Sequence, residues 1–137
     1  GDGELNEGQI WEAAMLAGRE RLHTIIGIID RNNIQIDGFV HDVMPSVEPL
    51  AEKWRSFGWH VVEIDGHNFY DIYNGVSLAQ SMSGMPSVII AHTVPGKGVP
   101  EYERDFRLHG YPPDKKQAAE VLHRLRTLNG AISSEHQ

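Results

Sequence analysis

The chain has 137 residues, 40% of them apolar and 23% charged, with a formal net charge of −7 at pH 7. That length fits one domain with its own core, burying roughly two-thirds of the surface its unfolded chain exposes, and the negative balance argues against nucleic acid or an anionic membrane as a bulk partner. The chain contains no cysteine, so no disulfide framework is available and the cytosol is the expected compartment. No apolar run is long enough to span a bilayer.

Taken in chain order, the first feature is Gly1-Asp2-Gly3, followed by a helix predicted over Asn6 to Gly18. Asn6 serves as N-cap, Gln9 holds the capping-box position, and Ile10, Ala13, Ala14 and Ala17 share one face. A strand is expected just upstream of Gly1, so the sheet is expected to lack its N-terminal strand or strands. Thr24 to Asp30 is a continuous apolar, β-branched run, the pattern of a strand buried on both faces. Ser46 to Phe57 reads as a helix, with Leu50, Trp54 and Phe57 on one face and Gly58 as the stop. His60 to Ile64 is the next strand, Asn68 to Met82 the next helix, and Ser87 to Ala91 a third strand. Asp114 to Leu128 is an amphipathic helix carrying Ala118, Val121, Leu122 and Leu125, ended near Gly130. Residues 1–130 are read as one domain and 131–137 as a tail.

Strands alternating with helices predict an α/β fold, a parallel sheet flanked by helices. Such sheets bind ligands beyond the carboxyl ends of their strands, where Arg31-Asn32-Asn33, Asp65-Gly66-His67 and Pro95-Gly96-Lys97-Gly98 fall. In Gly1-Asp2-Gly3 the glycines let backbone N–H groups approach a phosphate, and the following helix N-terminus favours negative charge. The Asp2 carboxylate would repel that phosphate unless a cation lay between them. Mg²⁺, with oxygen ligands from Asp2, the Asn32 side chain and the Ile34 carbonyl, satisfies this requirement. Each residue also has a plainer reading. A GDG triplet is usually a turn, and an Asn pair tolerates left-handed backbone. Glu7 and Glu12 suit the first turns of a helix on dipole grounds alone, and core packing would explain Ile36.

These segments together resemble a known family. Gly1-Asp2-Gly3 with Asn32-Asn33 matches the thiamine-diphosphate motif, and GDGELNEGQIWEAAMLAG, DRNNIQIDG, FGWHVVEIDGH, TVPGKGV and LHG, in that order, resemble transketolase. The likeness is greatest to the N-terminal subunit of a split transketolase and extends to about Leu125. It implies thiamine diphosphate and Mg²⁺ (or Ca²⁺ or Mn²⁺ in its place) as cofactors, held by Asp2, Asn32 and the Ile34 carbonyl. It further implies that Gly1 and Gly3 lie at the diphosphate and Ile36 beside the cofactor rings. Glu7 and Glu12 would belong to an acidic network between paired active sites, and His109 would lie near the diphosphate and the donor sugar. The implied reaction transfers a two-carbon ketol unit from a ketose phosphate to an aldose phosphate. The implied partner is a pyrimidine-binding C-terminal subunit, which brings the glutamate that faces the aminopyrimidine, in a homo-oligomer or heterotetramer. The chain alone is therefore expected to be inactive. Two alternatives stand beside this reading: another thiamine-diphosphate enzyme, of deoxyxylulose-phosphate synthase or pyruvate dehydrogenase alpha type, and a non-catalytic assembly protein. An EF-hand reading of DGELNEGQIWEA fails, because Glu7 stands where the loop needs Gly and Ala13 where it needs Glu.

Overall fold

The computed structural model describes residues 1–103 and 105–127, with side chains described as far as residue 123. A 3₁₀ turn at Glu4–Asn6 leads into helix α1 (Gly8–Arg19), strand β1 (Ile26–Arg31), the short strands β2 (Ile34–Gln35) and β3 (Gly38–Phe39), and helix α2 (Val40–Val43). A second 3₁₀ turn at Pro45–Val47 is followed by α3 (Leu50–Ser56), β4 (His60–Asp65), α4 (Phe69–Ser81) and β5 (Ser87–His92). A third turn at Phe106–Leu108 precedes α5 (Lys115–Thr127). The expected α/β class is observed. The order β1-β5-β4 makes a three-stranded parallel sheet with helices against it, while β2 and β3 form a separate antiparallel ribbon.

Strand β5 lies in the centre because its apolar run can be covered on both faces; Val88, Ile89 and Ile90 are at most 1% exposed. Side chains alternate across a strand, so Gly27, Ile29 and Arg31 of β1 share a face with Val88 and Ile90 of β5. That face carries the main core, in which Ala14 and Ala17 of α1 and Leu50 and Trp54 of α3 gather with Ile29, Val88, Ile90 and Trp59. Trp59 fastens the layers: its indole N–H donates to the Ala14 carbonyl at 2.8 Å, and its ring meets Trp54 edge-on at 4.8 Å. Helix α4 covers the opposite face over β4 and β5, with Gly75 against Ile64 and Val62.

The structure corrects three local expectations. The first strand was expected to be buried on both faces, yet Ile28 is 66% exposed. The physical reason is that β1 is a sheet edge and α4 packs chiefly over β4 and β5. The helix expected from Ser46 to Phe57 is two elements, because Pro49 cannot supply a backbone N–H and stands as the N-cap of a shorter α3. At α1 the N-cap is Glu7, one residue beyond Asn6, and Ala13 faces solvent. The helix over Asn68 to Met82 matches closely, since the Asn68 side chain accepts from the Tyr70 and Asp71 N–H groups and Met82 is the C-cap. The tail 131–137 lies outside the described residues.

Registry puts the ends of the parallel strands level: Arg31 pairs with His92, and Asp65 also pairs with His92. All three following loops therefore emerge at one edge. They are tied together there by Gly66 N–H donating to the His92 carbonyl at 2.8 Å, Val94 N–H to His67 Nε2 at 2.7 Å, and Thr93 Oγ1 to Asp30 Oδ1.

Candidate cofactor and metal site

The glycine-flanked loop at the chain start reaches the strand-end loops through Asp2. The adjoining turn is anchored by Leu5, which is 5% exposed and whose carbonyl accepts the Trp11 indole N–H at 2.8 Å. Asp2 is buried at 1% exposure. Its Oδ2 accepts from Arg31 Nη1 at 2.9 Å and from the Asn33 N–H at 2.6 Å, and its carbonyl accepts from Gln35 Nε2 at 3.0 Å. Its Oδ1 is buried and has no hydrogen-bond partner. Burial pushes the Asp2 carboxyl above the usual carboxylate range, and the Arg31 charge and Asn33 N–H offset this only in part.

The Asn pair divides the work. Asn33 sits in the left-handed region at φ 66°, which Asn tolerates, and so points its N–H at Asp2 and accepts Val40 N–H at its carbonyl. Asn32 is 9% exposed; its Oδ1 accepts from the Ile34 N–H at 3.0 Å and its Nδ2 donates to Asp30 Oδ2 at 3.2 Å. An amide oxygen has two acceptor positions, so one remains open on Asn32.

A cavity of about 500 Å³ joins these groups. Gly1, Asp2, Gly3, Asn32 and Ile34 line it, as do Glu7, Ile36 and His109, which come from three different segments. Ile36 is 78% exposed, so core packing does not account for an apolar residue there. Glu12 lies apart, exposed on α1 and outside the cavity lining. Among the described residues no group of three or more His, Cys, Asp or Glu side chains is placed to hold a metal. A cation here would instead meet one carboxylate, one amide and a carbonyl. Asp2, with its unpartnered buried oxygen, and Asn32, with an open position on its amide oxygen, line one cavity, and such a donor set fits a hard divalent cation, whose ligands are oxygens.

Sequence reasoning missed the residues that support this arrangement. Arg31 is 5% exposed, and besides Asp2 it reaches Glu48 Oε1 through Nη2 at 2.7 Å and Nε at 3.2 Å. Glu48 Oε2 accepts the Leu50 N–H at 2.8 Å. Gln35 links the loops by accepting from Asn6 Nδ2 at 3.1 Å as well as donating to Asp2. The signal available for Arg31 was its place within a motif whose neighbours on both sides are polar; nothing local marked Glu48.

The Arg31 hydrogen bonds, and then the Leu50 N–H, hold the Glu48 carboxyl below its ordinary value of 4.5. A depressed folded pKa stabilises the fold fully above the unfolded value, and this contribution fades as pH falls through the lower, folded one. Urea unfolding of wild type and Glu48→Gln between about pH 6 and pH 3 should show wild type losing its advantage in that acid window. The difference should be under about 1 kcal/mol, because the Glu48 side chain is 54% exposed and screened. A difference that stays constant across the window would overturn the assignment.

A glycine-flanked loop with a buried, unpartnered carboxylate oxygen lies at the carboxyl edge of a parallel sheet, where sheets of the α/β class bind their ligands. Residues 1–129 match the family model "Transketolase, thiamine diphosphate binding domain", and the chain belongs to this family. Among curated proteins it is 50% identical over 109 residues to the 6-deoxy-6-sulfo-D-fructose transketolase subunit SqwG of Clostridium sp., covering 80% of this chain and 39% of that protein. It is 38% identical over 122 residues to an apulose-4-phosphate transketolase subunit from Phocaeicola vulgatus, covering 89% of this chain and 43% of that one. The chain thus spans about two-fifths of these relatives. A transketolase mutant from Pichia stipitis superimposes with a TM-score of 0.74 at 29% identity, over 88% of this chain and 17% of that one. Transketolase from Campylobacter jejuni does so with a TM-score of 0.67 at 27% identity, over 93% and 23%.

Proposed function

We propose that this chain grips the diphosphate end of thiamine diphosphate through a divalent cation, Mg²⁺ or in its place Ca²⁺ or Mn²⁺, within a transketolase. The observation that carries the reading is Asp2 Oδ1, a buried carboxylate oxygen with no partner, in a cavity shared with Asn32 and Ile34. When bound, the cofactor supplies the thiazolium carbon on which a two-carbon ketol unit passes from a ketose phosphate to an aldose phosphate. The residues of this chain bind and orient it. Asp2, Asn32 and the Ile34 carbonyl hold the cation, Gly1 and Gly3 keep the loop free of side chains at the diphosphate, and Ile36 lies against the rings. His109 faces the diphosphate and donor sugar, and Glu7 and Glu12 belong to the acidic network between paired sites.

The remainder of the site comes from a pyrimidine-binding C-terminal subunit in a dimer or heterotetramer, and the isolated chain is inactive. Two relatives carry the name of a transketolase subunit, which supports a split enzyme. Among the described residues no helix is long and apolar enough to cross a membrane.

The test is an assay of the full-length protein purified with its pyrimidine-binding partner. Xylulose 5-phosphate, 6-deoxy-6-sulfo-D-fructose and apulose 4-phosphate are offered as donors against pyruvate, with aldose phosphates as acceptors. Ketol transfer from at least one ketose and none from pyruvate is expected. Turnover of pyruvate alone would point to a pyruvate dehydrogenase type, and no turnover with any donor to a non-catalytic role; either result overturns the proposal.

A further inference from the structure

We propose that Phe106 and Phe39 are positioning residues, whose ring contact docks the turn before His109 on the β2–β3 ribbon and so sets that histidine in the cofactor cavity. The inference rests on the reading of His109, given above, as a group that faces the diphosphate and donor sugar. Its basis is a contrast between what shapes the turn and what places it. Leu108 N–H donates to the Asp105 carbonyl at 3.1 Å, His109 N–H to the Phe106 carbonyl at 2.9 Å, and Tyr111 N–H to the Leu108 carbonyl at 3.2 Å. The Asp105 carboxylate accepts the Arg107 N–H at 3.0 Å and, through both oxygens, the Arg107 guanidinium at 2.8 Å. These bonds all close within residues 105–111, so they give the turn its form without fixing where it lies. Phe106 supplies the placement: its ring meets that of Phe39 in β3 at 5.5 Å and 71°, edge to face.

Phe39 is a firm platform for this contact. In the antiparallel ribbon it stands opposite Ile34, and Val40 N–H closes the ribbon base on the Asn33 carbonyl at 2.9 Å. The His41 ring stacks on Phe39 at 5.5 Å and 17°. Ile34 and Ile36, from the same ribbon and its tip, line the cavity together with His109. One ribbon thus carries the proposed carbonyl ligand, the residue proposed beside the cofactor rings and the seat of the histidine turn.

Aromatic chemistry makes this seat directional. An edge-to-face pair has a preferred angle as well as an attraction, so it fixes orientation where an aliphatic contact would let the turn pivot. Because His109 N–H is bonded to the Phe106 carbonyl, the histidine backbone follows the Phe106 ring. A contact that merely stabilised the loop would have a different consequence, because its loss would be felt whether or not the histidine is present.

A double-mutant cycle on thiamine diphosphate affinity separates the cases, with calorimetry of the full-length protein assembled with its partner in Mg²⁺. His109→Ala should weaken binding by about 10–100-fold, the range for a lost hydrogen bond to a charged group. Phe106→Ala should weaken it by about 2–10-fold, the range for one aromatic pair. Phe106→Tyr, which keeps the ring, should bind as wild type does. In the His109→Ala background, Phe106→Ala should bring no further loss, because it acts through the histidine. The same loss in both backgrounds overturns the proposal, and undiminished affinity in Phe106→Ala is equally fatal. Should Phe106→Ala fail to fold, Phe39→Leu enters the same cycle, with the same expected loss and the same additive result against it. If His109→Ala itself binds as tightly as wild type, the reading of His109 falls and takes the proposal with it, an outcome distinct from additivity, which leaves that reading standing.

Discussion

Replacing Asp2 with Ala is expected to weaken Mg²⁺-dependent thiamine diphosphate binding by more than about a hundredfold, because losing even a residue that only orients a ligand costs about 10–100-fold. Asn32→Ala is expected to do the same. The two substitutions act on different proposed ligands that line one cavity, so their agreement is informative. Removing the Asp2 carboxylate takes away the one anionic oxygen proposed to face the cation, and it strips the Asn33 N–H of its acceptor. Removing the Asn32 amide takes away a neutral oxygen and leaves the Ile34 N–H without its partner. Each orphaned, partly or fully buried donor costs about 1–3 kcal/mol of local stability, so the fold must be checked alongside binding. Asp2→Asn and Asn32→Asp keep an oxygen in place and serve that purpose. Calorimetry of the full-length, partnered protein that shows unchanged cofactor affinity in both Ala variants would remove the ligand assignment.

Gly18→Ala should destabilise the fold by about 1–3 kcal/mol, the usual size of forced overpacking. The sign is the interest here. Near the end of a helix, replacing Gly by Ala ordinarily helps by about 0.5–1 kcal/mol. At this position a Cβ would lie 1.8 Å from the Phe57 carbonyl oxygen and 3.0 Å from its carbon. Those are backbone atoms at the C-cap of α3, which cannot rotate aside as a side chain can. The last turn of α1 and the end of α3 touch main chain to main chain, and only the absence of a side chain allows it. Trp59, two residues beyond Phe57, carries the core contact to Ala14, so any shift of α3 would spread to the tryptophan cluster. Thermal or urea unfolding that finds Gly18→Ala as stable as wild type would show that the α1–α3 contact yields easily.

The strand and helix pattern was legible where burial is continuous or a cap is local. Ser87 to Ala91 read as a strand because every residue in it is covered, and Asn68 to Met82 read as a helix because Asn68 caps its own first turn. Legibility failed where the neighbours decide. Ile28 has the composition of a core residue, and only the position of β1 at the sheet edge leaves it 66% exposed. The ribbon of β2 and β3 escaped notice because strands of two residues are too short for any periodicity. In the middle case, Leu50, Trp54 and Phe57 gave a sound helical face, but that signal hid the break that Pro49 imposes.

The site shows the same division. The amino-acid order by itself determined which residue types are suited to a cofactor, since glycines, one carboxylate and an amide carry their chemistry wherever they stand. It also determined the family, because several motifs follow one another in a single order. Only the tertiary structure decided which oxygen of Asp2 is left without a donor, and that Arg31 draws Asp2 and Glu48 together from positions 29 and 17 residues away. The physical reason is that hydrogen-bond saturation and burial are properties of a closed contact network. Such a network exists only after distant segments have met, so no local stretch of chain records it.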